Sequence, residues 1–219
     1  MPQPEPDPDL DRQAVLTVLT TEHFALQGSR GSTISESTSR AGLFVGALSS
    51  VLVALGFIGQ ASDMGEPFVV FALVVLPTLY ALGLFSFVRL VESSVEDIGY
   101  ARAINRIRAY YLDVVGPAGK YISMNAHDDV YGVLANMGMA RPSPWQLHFT
   151  LAAMVATLDA VVGGTAVAFL VGAVGATLAV SAVVGAAVAV ASFLVFTRWQ
   201  RRYHDAAREG AEVLFPTPV

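Results

Sequence analysis

Four stretches of the chain stay apolar all round for long enough to cross a bilayer, which takes about 20 residues. They cover residues 41–60, 68–88, 147–171 and 176–197. Apart from Asp159 and His148, the only ionisable side chain within them is a tyrosine. Buried helices of soluble proteins rarely remain apolar around their whole circumference over such a length. The pattern predicts an all-α, polytopic membrane protein built on a four-helix transmembrane bundle.

The flanks carry helical periodicity of a different kind. Val15, Leu16, Val18, Leu19, Phe24 and Leu26 recur at helical spacing, and no proline interrupts residues 10–60. They predict an N-terminal helix over 10–40 leading into the first span. Gly28, Gly31 and the run "GSTISESTS" weaken it, because each glycine costs about 1 kcal/mol relative to alanine in a helix interior. Either one long helix with a soft joint near 28–33 or two helices would fit. After the second span, Val91, Val95, Ile98, Ile104, Ile107 and Tyr111 continue the spacing, with Glu92, Glu96, Arg102 and Arg106 between them. The first clear breaker is "GP" at 116–117. The second span is therefore expected to run on as an amphipathic helix that buries its stripe against the N-terminal helix. Further along, "HDDVYGVLANMG" reads as a short helix capped by Asp128 or Asp129, and "RPSP" breaks the chain before the third span.

Charge gives the threading. All 13 basic residues, twelve Arg and one Lys, fall before the first span, between the second and third, or after the fourth. The connections "ASDMGEP" and "GAVG" have none. By the positive-inside rule both termini and the 89–146 segment are cytoplasmic. Trp145 and Trp199 then share the inner interface, where tryptophan concentrates. This divides the chain into an acidic, Pro-rich and disordered tail (1–9), the N-terminal helix (10–40) and spans one and two (41–88). A cytoplasmic helical extension and loop (89–146), spans three and four (147–197) and a cytoplasmic C-terminal tail (198–219) follow.

Composition agrees: 54% of residues are hydrophobic, 14% are charged, and the mean hydropathy is +0.55. The bias towards Arg, Ala, Val and Gly fits a GC-rich bacterial genome, hence an inner (plasma) membrane. There is no cysteine, which excludes disulfides and thiolate metal sites. A net charge of −5 gives the chain no pull towards nucleic acid, despite three Arg and three Tyr in "GYARAINRIRAYYL".

Candidate chemistry is sparse. No phosphate-binding, metalloprotease or nucleophile-elbow motif is present, so neither an enzyme nor a cofactor is expected. His127, Asp128 and Asp129 are weak metal candidates; a solvated helix start explains them better. Within the spans, Asp159 stands out, because a carboxylate near the bilayer centre is costly and is a functional candidate by default. His148 precedes it by eleven residues, close to three helical turns, which would place both on one face about 16 Å apart. The pair form an ion or proton path candidate. Gly163 and Gly164 on span three, Thr177, Ser181, Gly185 and Ser192 on span four, and the GxxxG pair Gly42 and Gly46 on span one are helix-packing faces. Pro77 would kink span two.

The stretches "LTTEHFALQGSRGSTISESTSRAGLFVGALSSVLVALGF" and "HDDVYGVLANMGMARPSPWQL" resemble a family of uncharacterised four-span membrane proteins of actinobacteria. That resemblance brings no activity with it. The layout is also similar to large-pore channels of the connexin and innexin type, but their long extracellular loops with paired cysteines are missing here. Three functions fit: a homo-oligomeric ion channel or pore-forming membrane effector gated by its cytoplasmic helices; a non-conducting scaffold or signalling partner; and a small proton-coupled transporter using Asp159. The partners expected are the lipid bilayer, further copies of the chain, and a cytoplasmic protein or small-molecule ligand.

Overall fold

The computed structural model describes residues 8–139 and 148–218. The tail expected over 1–9 falls mostly outside them, as do the "RPSP" break and Trp145; Pro8 and Asp9 already belong to the first helix. Among the described residues there are five α-helices and no strand. They are α1 (Pro8–Ala61), α2 (Glu66–Val115), α3 (Val130–Asn136), α4 (Leu151–Ala173) and α5 (Leu178–Glu209). Four of them, α1, α2, α4 and α5, are long and apolar enough to cross a membrane.

α1 is a single helix of 54 residues, with no break at Gly28 or Gly31. α2 runs 50 residues, passes Pro77 and ends where Gly116 takes a left-handed φ of 52°. A six-residue 3₁₀ turn follows, with Pro117 near its start. α4 starts at Leu151, capped by the Thr150 hydroxyl, which accepts from the Ala153 N–H at 3.2 Å. α5 starts at Leu178 behind the Thr177 cap. The two are joined through Gly175, whose φ of 96° suits a residue without a side chain.

The chain forms two compact units. The polar unit comprises residues 8–34, 95–139 and 211–218; the apolar unit comprises 35–94 and 148–210.

The polar unit has a small apolar core of Ala101, Ile104, Ile107 and Val133. Around it lies an amide network. The Asn105 side chain donates to the His127 carbonyl at 2.6 Å, and its oxygen accepts from Arg108 at 2.6 Å and from Asn136 at 3.0 Å. Asn125 and Asn136 bond each other. Arg30 of α1 grips Asp97 of α2 through two contacts, at 2.6 and 3.2 Å.

The apolar unit buries Phe44, Ala72, Leu76, Leu79, Phe87 and Val91 against Ala152, Val155, Ala156 and Phe196. Phe87 packs 4.9 Å from Phe196 and 5.6 Å from Trp199, centroid to centroid. α4 and α5 meet through glycine. A Cβ on Gly164 would run into the Gly185 carbonyl oxygen, and one on Gly185 would lie 2.7 Å from the Ala168 methyl. Small residues bring helices this close, where backbones gain dispersion contact that bulky side chains would block.

Candidate functional site: Asp159 in the apolar helices

α4 presents one face to the rest of its unit. Ala152, Val155, Ala156, Asp159, Ala160 and Gly163 lie along it at spacings of three and four, and all are buried. The same stripe that packs the helix therefore carries the carboxyl group inward. Asp159 is 0% exposed. Its side chain rests on Gly83 of α2, at the spot where a Cβ on that glycine would sit, with the Phe44 ring of α1 beside it. Neither carboxyl oxygen has a hydrogen-bond partner among the described residues. The four apolar runs contain no Lys or Arg. In its ionised form such a group costs several kcal/mol, since no cation or donor offsets the lost hydration. Proton binding and local structure are therefore coupled here. Asp159 faces the neighbouring helices, with none of its surface exposed.

Gly83 and Phe44 are the residues that sequence reasoning passed over. A lone glycine inside an otherwise bulky stretch, "YALGLFSF", is a signal of close approach, but nothing in the sequence says which residue approaches.

His148 is not on the α4 face. The helix begins three residues later, so counting turns from His148 to Asp159 has no meaning. The imidazole lies half-buried, 6.4 Å from the Phe193 ring. Thr177 likewise acts as a cap, accepting from the Val180 N–H, and not as part of a packing face. Ser181 is buried with its hydroxyl unpaired among the described residues, near Gly172. Gly163 supports the Tyr80 ring, whose Cε2 would lie 2.6 Å from an added Cβ. Gly42 and Gly46 have nothing within 4 Å. They belong to an exposed line down α1: Gly28, Ser32, Ser35, Ser39, Gly42, Gly46, Ser49, Val53 and Gly56, at alternating steps of four and three.

A second polar cluster went unremarked in the sequence. Gln200 and His204, one turn apart on α5, are both buried. Gln200 donates to the Thr150 hydroxyl at 3.3 Å. His204 Nδ1 is 2.8 Å from the Gln200 carbonyl, so this nitrogen carries a hydrogen. Its Nε2 is 2.9 Å from the Ser94 hydroxyl, which also reaches the Val91 carbonyl at 2.7 Å. Ser94 has one hydrogen for two acceptors. With neutral imidazole it serves Nε2; with imidazolium it accepts from Nε2–H and serves Val91.

Asp128 and Asp129 hold the chain's own C-terminal segment, while the backbone of His127 bonds Asn105 and Asn125. Asp128, 0% exposed, accepts from the backbone N–H groups of Leu214 and Phe215 and from Arg106 at 2.7 Å. Arg106 also donates to the Glu212 carbonyl through a short contact. Asp129 caps α3 through the Gly132 N–H and accepts from the Thr217 hydroxyl at 2.7 Å and its N–H at 3.2 Å. Burial opposes ionisation of Asp128, but the bond from Arg106, the two N–H donors and the guanidinium charge outweigh it and hold the carboxyl below its usual value. Asp129 is likewise held low: burial works against it, and the Thr217 and Gly132 donors prevail. Among the described residues no three His, Asp or Glu side chains converge as metal ligands would.

No family model, no curated protein and no solved structure matches this chain.

Proposed function

We propose that this is an integral membrane protein that moves ions across the bilayer as a homo-oligomeric channel or pore-forming effector, with Asp159 as the titratable group of its gate. The observation that carries the reading is the enclosed, unpartnered Asp159 carboxyl group against Gly83, inside helices of membrane-crossing length. In the closed arrangement Asp159 is sealed among α1, α2 and α4. Opening admits water, the carboxyl group ionises, and the charge becomes part of the path. The exposed line of glycine and serine on α1 supports association with further copies, since it lets another backbone approach closely.

The membrane assigned is the bacterial plasma membrane with both termini inside, on the strength of the basic residues. The Arg30–Asp97 and Asp128–Leu214 contacts support the hairpin threading, because residues 8–34, 95–139 and 211–218 must share one side to make them.

A proton-coupled transporter is the second reading. Asp159 lies within one subunit's helices and not on an outer face, which favours a carrier that alternates between protonated and ionised forms. Proteoliposomes test both. Ion flux that responds to pH in the wild type and loses that response in Asp159→Asn is the expected result. Flux that appears only with a pH gradient and a co-transported solute would favour the carrier. Correctly inserted protein with no flux under either condition would overturn both and leave a non-conducting scaffold.

A further inference from the structure

Between α2, α4 and α5 the apolar unit holds a half-open cavity of about 410 Å³, with Pro77 and Leu170 at its exposed rim. It lies one helical turn from Asp159 along α4 and from Gly83 along α2, measured to Gly163 and Tyr80. Its existence follows from the residue types at its walls. Gly163 and Ala166 leave space on α4, and the Tyr80 ring is drawn against Gly163 instead of filling the gap. The volume is more than twice the roughly 150 Å³ that accepts a benzene molecule in an apolar protein interior, and it falls in the size range of ligand sites.

The wall is apolar except at three places. Pro77 has no N–H, so the Leu73 carbonyl one turn before it loses its helical donor; both residues line the cavity. Tyr80 and Ser192 line it too, and neither hydroxyl has a hydrogen bond to a described residue. An acceptor and two donor–acceptor hydroxyls thus border an apolar space. No ionisable side chain other than the Tyr80 phenol lines it. At membrane depth unsatisfied polar groups cost several kcal/mol each. Plain acyl chain from the surrounding lipid would fill the volume and leave all three unpaired.

We infer that this cavity is a binding site for a neutral lipophilic molecule carrying a hydroxyl group. Its hydroxyl donates to the Leu73 carbonyl and accepts from both Tyr80 and Ser192, and its hydrocarbon body fills the space beside Val167 and Leu170. An anion or cation is excluded, because nothing at the wall would balance its charge. The assignment is independent of ion movement, and its test is binding.

The test uses the full chain in nanodiscs and a medium-chain alcohol bearing a photoreactive diazirine. Labelled peptides are read by mass spectrometry. Labelling is expected on the α2, α4 and α5 segments that line the cavity. Excess unlabelled alcohol should compete, and the alkane of equal length should not. Tyr80→Phe and Ser192→Ala should each lower labelling about fivefold, the loss of one hydrogen bond. Val167→Trp, which fills the space, should abolish it, while Val183→Trp on an exposed face leaves it unchanged. Equal competition by the alkane would overturn the hydroxyl assignment. Labelling insensitive to Val167→Trp, Tyr80→Phe and Ser192→Ala alike, and spread over exposed positions, would overturn the site. If Val167→Trp fails to fold, the two hydroxyl deletions decide.

Discussion

The Asp159 carboxyl group occupies the place where a side chain on Gly83 would begin. A methyl there would overlap the carboxyl group and come within 2.8 Å of the Phe44 ring. Gly83→Ala is therefore expected to destabilise the protein by about 1–3 kcal/mol through overpacking. Asp159→Ala in the same chain removes one of the two clashes, so the double variant should be more stable than the sum of the single changes. Thermal unfolding in detergent measures this. Strict additivity would mean that the two residues do not meet.

Replacing Asp159 by valine removes two buried oxygens that have no partner. Where neither charge nor hydrogen bond is lost, an apolar group of similar size stabilises, here by about 1–3 kcal/mol. The midpoint of thermal unfolding should rise in Asp159→Val while the pH response of ion flux disappears. A fall in the midpoint would show that the carboxyl group has a structural partner.

The C-terminal segment is held by Asp128 and Asp129. Both carboxyls have folded values below the ordinary aspartate value of about 3.9. The sign follows: their contribution is complete above that value and is lost as pH falls through the depressed folded values. Pepsin digestion at a series of acid pH values should show the 211–218 segment resistant until the carboxyls protonate. Asp128→Asn should lose about 2–3 kcal/mol of charge-assisted bonding and expose that segment to proteases at neutral pH. A segment equally protected in the variant would refute the role given to Asp128.

Glycine has two roles in the long helices, and they separate experimentally. Gly164→Leu should break the α4–α5 contact, since even a Cβ meets the Gly185 carbonyl and lies 2.7 Å from the Ala189 methyl. Gly42→Leu should leave the fold intact, as nothing lies within 4 Å of that position. What Gly42→Leu should weaken is association between copies, read by cross-linking in native membranes. Unchanged cross-linking would remove α1 from the subunit interface.

The apolar helices were legible because their signals are local: sustained hydropathy, and "GP" after α2; the threonine caps that set the starts of α4 and α5 went unread. Continuity of α1 through Gly28 and Gly31 was not decidable, because the helix is held by packing and by the Arg30–Asp97 pair, which lie outside local propensity. Asp159 was visible as an anomaly. Its neighbours were not, since Gly83 and Phe44 lie 76 and 115 positions away and only the fold brings them together. His148 misled for a simple reason: apolar composition continues past the point where Thr150 starts the helix. "HDD" read best as a solvated helix start, and Asp129 does cap α3; that Asp128 is buried against Arg106 and the N–H groups of Leu214 and Phe215 leaves no trace in a sequence.

The polar unit draws on three stretches of chain, each separated from the next by two membrane-length segments. Its closure has a consequence for biogenesis. Under the proposed threading, Asp128 can meet Leu214, and Arg30 can meet Asp97, only where both intervening segments cross or neither does. A chain with one segment left out of the bilayer strands those groups on opposite faces. It keeps its unpaired arginine and aspartate side chains and an unanchored C-terminal segment open to proteases. Under that threading, the hydrogen bonds that finish the fold thus double as a check on insertion that any chain with a single segment of a pair left out fails.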